Sequence, residues 1–202
     1  MKKVLVIAIA LTFVMAAWAM AGDNPTNKIA IHFKTHPTSC LKGYPVITTC
    51  EGIVETWAPL GDLDAMPVFY DLVSYGVVET GLTWPAEWLS TSWVRCKGDI
   101  AVGNIVNPGD GTAIAWTACQ TTWGVIPGAA WLAATGAGYV CPVPNPATNM
   151  FGVVDCRPAP GPYYDGPQCV SCGGVGGFIG DDPCRPTAVE PSTWGEIKSI
   201  FK

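Results

Sequence analysis

From Lys28 to Cys156 no stretch of about a dozen residues carries apolar side chains at helical spacing. A parallel α/β sheet needs a crossover helix between successive strands, so that class is disfavoured at once. The region holds short apolar runs instead. Residues 28–34 set Ile29, Ile31 and Phe33 against Lys28, Ala30, His32 and Lys34, the period-two pattern of a half-buried strand. Further β-like runs rich in Val, Ile, Thr and aromatics fall at 53–57, 67–73, 76–83, 92–96, 99–106, 112–119, 129–134, 138–143 and 151–156. Turn residues punctuate them at a spacing of roughly 8–14 positions. The pattern predicts an all-β chain: an antiparallel β-sandwich, Ig-like or jelly-roll-like, of about nine strands.

The strongest reversal signal is Asn107-Pro108-Gly109-Asp110-Gly111, where proline presets one turn dihedral and the glycines permit positive φ. Cys96 and Cys119 flank it almost symmetrically, which makes a bridge between them an even-handed expectation. Side-chain parity argues against it, because Ile114 and Trp116 face away from Cys119 in an unbroken strand; a bulge would be required.

The ends of the chain have different characters. Lys2 and Lys3 precede an apolar run from Val4 to Ala19, and Ala19-Met20-Ala21 before Gly22 is a small-x-small site of the kind a signal peptidase cuts. Residues 1–21 therefore read as a signal peptide and 22–156 as the sandwich domain. Loss of Lys2 and Lys3 lowers the net charge of −5 by two, to −7. An acidic chain without a basic cluster cannot neutralise phosphates, so nucleic acid is not an expected partner. No second apolar run reaches the roughly 18 residues of a membrane-spanning helix. Residues 157–190 are dense in Pro, Gly and Cys and read as an irregular strap. In residues 191–202, Thr193 and Glu196 form a capping box, and Trp194, Ile197, Ile200 and Phe201 share one helical face. So short a helix forms only when docked. Its partner is the sheet edge of this protein or a component of the envelope or export machinery.

All nine cysteines lie after the cleavage site. In an exported chain they read as disulfides first: Cys40, Cys50, Cys96, Cys119, Cys156, Cys169, Cys172 and Cys184 are candidates. The number is odd, and Cys141, within the apolar Tyr139-Val140-Cys141, is the candidate free thiol. Cys169-x-x-Cys172 has two other readings, a redox pair or, with Cys156 and Cys184, a thiolate zinc site. The first lacks the helix a thioredoxin-like motif opens, and the second lacks another CxxC knuckle. The Gly173–Gly177 run has no strand and helix around it to make a phosphate cradle, and reads as a tight turn.

No reaction is written in the remaining polar residues. His32 and His36 do not share a helical face, so they make no zinc-protease motif, and no Gly-x-Ser-x-Gly elbow exists. Glu51, Glu55, Asp62, Asp64, Asp71, Glu79, Glu87, Asp99 and Asp110 are scattered, and Asp62-x-Asp64 and Asp181-Asp182 are at most parts of calcium shells. No cofactor is implied. Tryptophan is the unusual residue, nine in all with one inside the leader. Trp84, Trp88 and Trp93 either fill the inter-sheet core or stack on sugars.

The stretches Gly81-Leu-Thr-Trp-Pro, Gly103-Asn-Ile-Val-Asn-Pro-Gly-Asp-Gly111, Trp116-Thr-Ala-Cys-Gln120, Asn145-Pro146 and Asp155-Cys156 resemble a group of secreted bacterial proteins without assigned activity. The ending Thr193-Trp-Gly-Glu-Ile-Lys-Ser-Ile-Phe-Lys202 is similar to tails that recur on other secreted bacterial proteins. The resemblance implies export and a disulfide-bearing β-domain, and no mechanism. The expected function is thus an exported, non-enzymatic structural or adhesive module at the cell surface or beyond. Its alternatives are a glycan-binding module using Trp84, Trp88 and Trp93, and a secreted hydrolase with an acidic cleft.

Overall fold

The computed structural model describes residues 22–36, 48–53, 57–157 and 163–181. The leader, Cys40, Glu55, Cys184 and the helical face of Trp194, Ile197, Ile200 and Phe201 lie outside them. The described residues form two sheets. The first has six strands, ordered β13 (Cys169–Val170), β1 (Lys28–Thr35), β3 (Gly61–Tyr70), β9 (Gly128–Ala134) and β5 (Leu89–Arg95), with β8 (Gly124–Val125) on the end of β3. The second has eight. Its path runs β12 (Tyr164–Asp165), β11 (Gly152–Val154), β4 (Tyr75–Thr83), β10 (Gly138–Val143), β14 (Gly173–Val175) and β2 (Trp57–Ala58). β7 (Gly111–Gln120) lies along the other edge of β4, and β6 (Ile100–Val102) lies outside β7.

The sandwich expectation holds at this level, with three corrections. The sheets are mixed: β13 runs parallel to β1, and β2 parallel to β14. Fourteen strands stand among the described residues against the nine expected. Four lie outside every expected run, β8, β12, β13 and β14, and have two or three residues, too few to show alternation. Three of them lie in the segment expected to be an irregular strap. Finally, β1 is buried on both faces, not one. Ile29, Ile31 and Phe33 point between the sheets, while Ala30 packs outside with Met66, Val68, Tyr70, Ile53, Ile126 and Ala129. Ile53, which closes the 3₁₀ turn Cys50–Gly52 rather than opening a strand, helps to roof that outer face.

The Asn107–Gly111 reversal forms as expected. Gly109 takes φ +91°, Asp110 N–H donates to the Asn107 carbonyl at 3.0 Å, and the Asp110 carboxylate accepts the Asn107 N–H at 2.8 Å. The turn also lengthens the sheet, since the Leu82 N–H donates to the Asp110 carbonyl and the Gly109 N–H to that of Leu82.

The glycine run is a strand and not a turn until Gly176, whose φ is +69°. Gly173 lies on the Phe33 ring inside the sandwich, and the chain at Phe178 crosses Gly174 outside; a Cβ at either position would collide with those neighbours. The close approach of two layers is what demands glycine here.

Candidate functional site

The disulfides fix which segments can present a surface. Cys119, at the end of β7, is bonded to Cys156 beyond β11, with Cα atoms 5.7 Å apart. The Cys96–Cys119 bridge is therefore not formed: Cys96 follows β5 in the first sheet, whereas β7 belongs to the second. Cys50 and Cys96 are disulfide-bonded and both pack on the outer cluster of the first sheet.

Cys141 is not the odd thiol. It is bonded to Cys172, Cα to Cα 4.4 Å, because the alternation of β10 turns Val140 inward and Cys141 outward toward the start of β14. Among the described residues Cys169, an expected disulfide candidate, stands outside the disulfides, half-buried and 4.0 Å from Ser171 Oγ. The two cysteines of the CxxC pair part company because Cys169 is in register with Lys28 in one sheet, while Cys172 leads into the other. With Cys156 and Cys172 in disulfides, neither the redox pair nor the four-thiolate zinc site is formed.

Trp84 and Trp88 are only 5% and 3% exposed, inside the inter-sheet core, and Trp93 packs against its margin. Glycines make room for these indoles: a Cβ at Gly138 would stand 3.2 Å from the Trp88 ring, and one at Gly128 would collide with Trp93. The three rings offer no sugar platform; their burial stabilises the fold.

The exposed aromatic face lies elsewhere. Tyr139 of β10 and Trp57 of β2 sit in register on either side of Gly174, on the outer side of the second sheet. Trp57 is 49% exposed. The Phe178 ring meets Tyr139 edge-on, with centroids 4.9 Å apart and planes at 87°. Ile179 beside it is 82% exposed, and Leu60 projects near Gly176. This patch is rigidly held. Cys141–Cys172 pins its base, the Asp181 N–H donates to the Cys172 carbonyl, and the Cys172 N–H donates to the Asp181 carboxylate, each at 2.9 Å. Asp181 is thus a loop clasp. None of the patch residues except Trp57 and Tyr139 fell within an expected strand, and the burial alternation of β10, which turns Tyr139 outward, corrects the reading of Tyr139-Val140-Cys141 as buried.

Five of these carboxylates, those of Asp64, Asp71, Glu79, Asp99 and Asp110, have local structural partners. Asp64 is buried, and its Oδ1 lies 2.9 Å from His36 Nδ1; the imidazole stacks on Trp131 with centroids 4.4 Å apart. Beside this pair is a cavity of about 310 Å³, lined by Lys34, His36, Leu60 and Asp62 among others. Glu79 is buried and accepts Asn145 Nδ2 at 2.7 Å and the Thr148 hydroxyl. Asp71 pairs with Lys28 at 3.5 Å, Asp99 accepts the N–H and hydroxyl of Thr117, and Asp110 closes its turn. Backbone and side-chain hydrogen bonds from Thr117 hold Asp99 below the usual carboxylate range. His32 is buried on the outer side of β1, away from any pairing with His36.

No family model matches this chain, and no curated protein does. Among solved structures the chain is similar to a type II cohesin domain from the cellulosome of Acetivibrio cellulolyticus, at 11% identity and a TM-score of 0.47, over 75% of this chain and 96% of that one.

Proposed function

We propose that this protein is an exported, non-enzymatic adhesive module that docks an apolar protein surface on the face formed by Trp57, Leu60, Tyr139, Phe178 and Ile179. The observation that carries the reading is the exposure of that contiguous set on a disulfide-pinned base. Soluble domains seldom leave such patches uncovered unless they bind something, and a preorganised face loses little entropy on binding. Leu60 and Ile179 favour a protein partner over a glycan, because aliphatic side chains add buried area against other side chains but do not stack on sugar rings. The disulfides and the leader-like N-terminus support a location in an oxidising compartment outside the cytosol. Residues 191–202 are a second attachment point in this reading, serving envelope or export machinery.

The test compares wild type with Trp57→Ser/Ile179→Ser in the producing cell. The proposal expects the wild type to be retained at the cell surface and the variant to be released, with equal melting temperatures. Equal retention of a well-folded variant overturns it. Binding of the purified wild type to a glycan array, abolished in the variant, would transfer the face to carbohydrate recognition.

A further inference from the structure

The first described residues are held by carboxylates in an arrangement that points to how the chain is matured. The Gly22 nitrogen donates to Asp165 Oδ1 at 2.9 Å, and the Asn24 N–H donates to the other oxygen of the same carboxylate, also at 2.9 Å. Between them the Asp23 N–H donates to Asp155 Oδ2 at 3.1 Å. The rest of the segment is equally fixed. Asn24 and Asn27 are fully buried; Asn24 accepts the Val73 N–H, and Asn27 Nδ2 reaches the carbonyls of Asn24, Asp165 and Gly166. Asp165 is itself buried, and among the described residues no Lys, Arg or His lies within ion-pair distance of it; Arg157, hydrogen-bonded to Asp155 and paired with Asp23, acts on it only through its field. A Cβ at position 22 would collide with the Asp165 carboxylate as it stands, so a larger residue would have to displace it.

We infer that the Ala21–Gly22 bond is the processing site, and that the α-ammonium released on Gly22 is the counter-ion of Asp165. This rests on the export reading above. Hydrolysis places the hydroxyl of water on the Ala21 carbonyl carbon and its hydrogen on the Gly22 nitrogen, which takes up one further proton from solvent. A neutral amide donor thereby becomes a cation at the same atom, and a charge-assisted hydrogen bond replaces a neutral one. The mature N-terminus is a built part of the fold rather than a loose end: it ties β12 of the second sheet to the chain entering β1 of the first.

Two measurements on protein exported from the full-length chain separate the two claims. N-terminal sequencing is expected to begin at Gly-Asp-Asn; any other start overturns the processing site and, if the leader is retained, the export reading with it. Acylation of the α-amine near pH 6.5, where it is far more reactive than lysine, then probes the clasp. In the folded protein the rate is expected to fall at least about tenfold below that of the urea-unfolded chain, the equivalent of one unit in the amine's titration. Asp165→Asn is expected to restore the rate. If that variant does not fold, the acylated wild type serves instead, with a melting temperature expected to be about 3–6 °C lower. A chain that starts at Gly22 but acylates at the unfolded rate, or melts unchanged after acylation, overturns the clasp while leaving export intact.

Discussion

Arg157 Nε donates to Asp155 Oδ2 at 2.7 Å, so a guanidinium two residues along the chain faces a carboxylate with no exposed side-chain surface. Cys156 between them is bonded to Cys119, and the Arg157 guanidinium also rests on the Tyr163 ring.

This arrangement makes stability acid-sensitive. Burial pushes the Asp155 carboxyl up, but N–H donors from Tyr163, Arg157 and Asp23, with the Arg157 side chain, outweigh it and hold the group below the usual carboxylate range. A depressed folded value means that stability is present above the unfolded value of about 4 and is lost as pH falls through the folded one. Melting temperature should therefore drop below about pH 4. Asp155→Asn should lower it at neutral pH and flatten that acid limb. An unchanged limb in the variant would remove Asp155 as its source.

The Cys141–Cys172 bridge spans a separation of 31 residues. Closure of a loop that size restricts the unfolded chain by about 3–4 kcal/mol. Cys141→Ser/Cys172→Ser should lose an amount of that order, and should also loosen the Phe178–Ile179 loop. Peptide mapping of the non-reduced protein should show 141 linked to 172 and 119 linked to 156; a 96–119 peptide would contradict the connectivity.

Two tryptophans should behave oppositely. Trp88→Ala opens the inter-sheet core and should cost about 3–5 kcal/mol. Trp57→Ala removes a half-exposed ring and should leave the melting temperature nearly unchanged while weakening partner contact. Chemical denaturation of both variants checks the pair.

Gly173→Ala pushes a methyl group into the Phe33 ring. Overpacking of this kind should cost about 1–3 kcal/mol. A neutral effect in urea unfolding would show that the layers are less tightly apposed than the strand geometry indicates.

Legibility in the sequence followed element length. The β-like run at 138–143 forms β10 with those bounds, and the Asn107–Gly111 turn is where its residues place it. β14 was hidden because a strand of two glycines and one valine has no apolar period, its glycines being chosen for contact with Phe33 and Phe178. The partners of Cys119 and Cys141 were hidden for a related reason. They depend on which sheet each strand joins, a long-range fact that parity within one strand does not carry. The exposed aromatic face combines Trp57, Tyr139 and Phe178 from three distant segments, so no local window contains it.

The position of β14 between β10 and β2, and of β13 beside β1, sets an order of events for a polypeptide that emerges N-terminus first. Lys28 waits for Cys169, and Trp57 waits for Gly174, before either edge is closed. Until nearly the whole chain is free, β2 has no neighbour in its sheet and the interior it covers stays open. In the export reading proposed above, translocation in an extended state is thus not opposed by a prematurely completed sandwich, and a fragment ending before residue 172 would be left with unclosed edges open to association with one another.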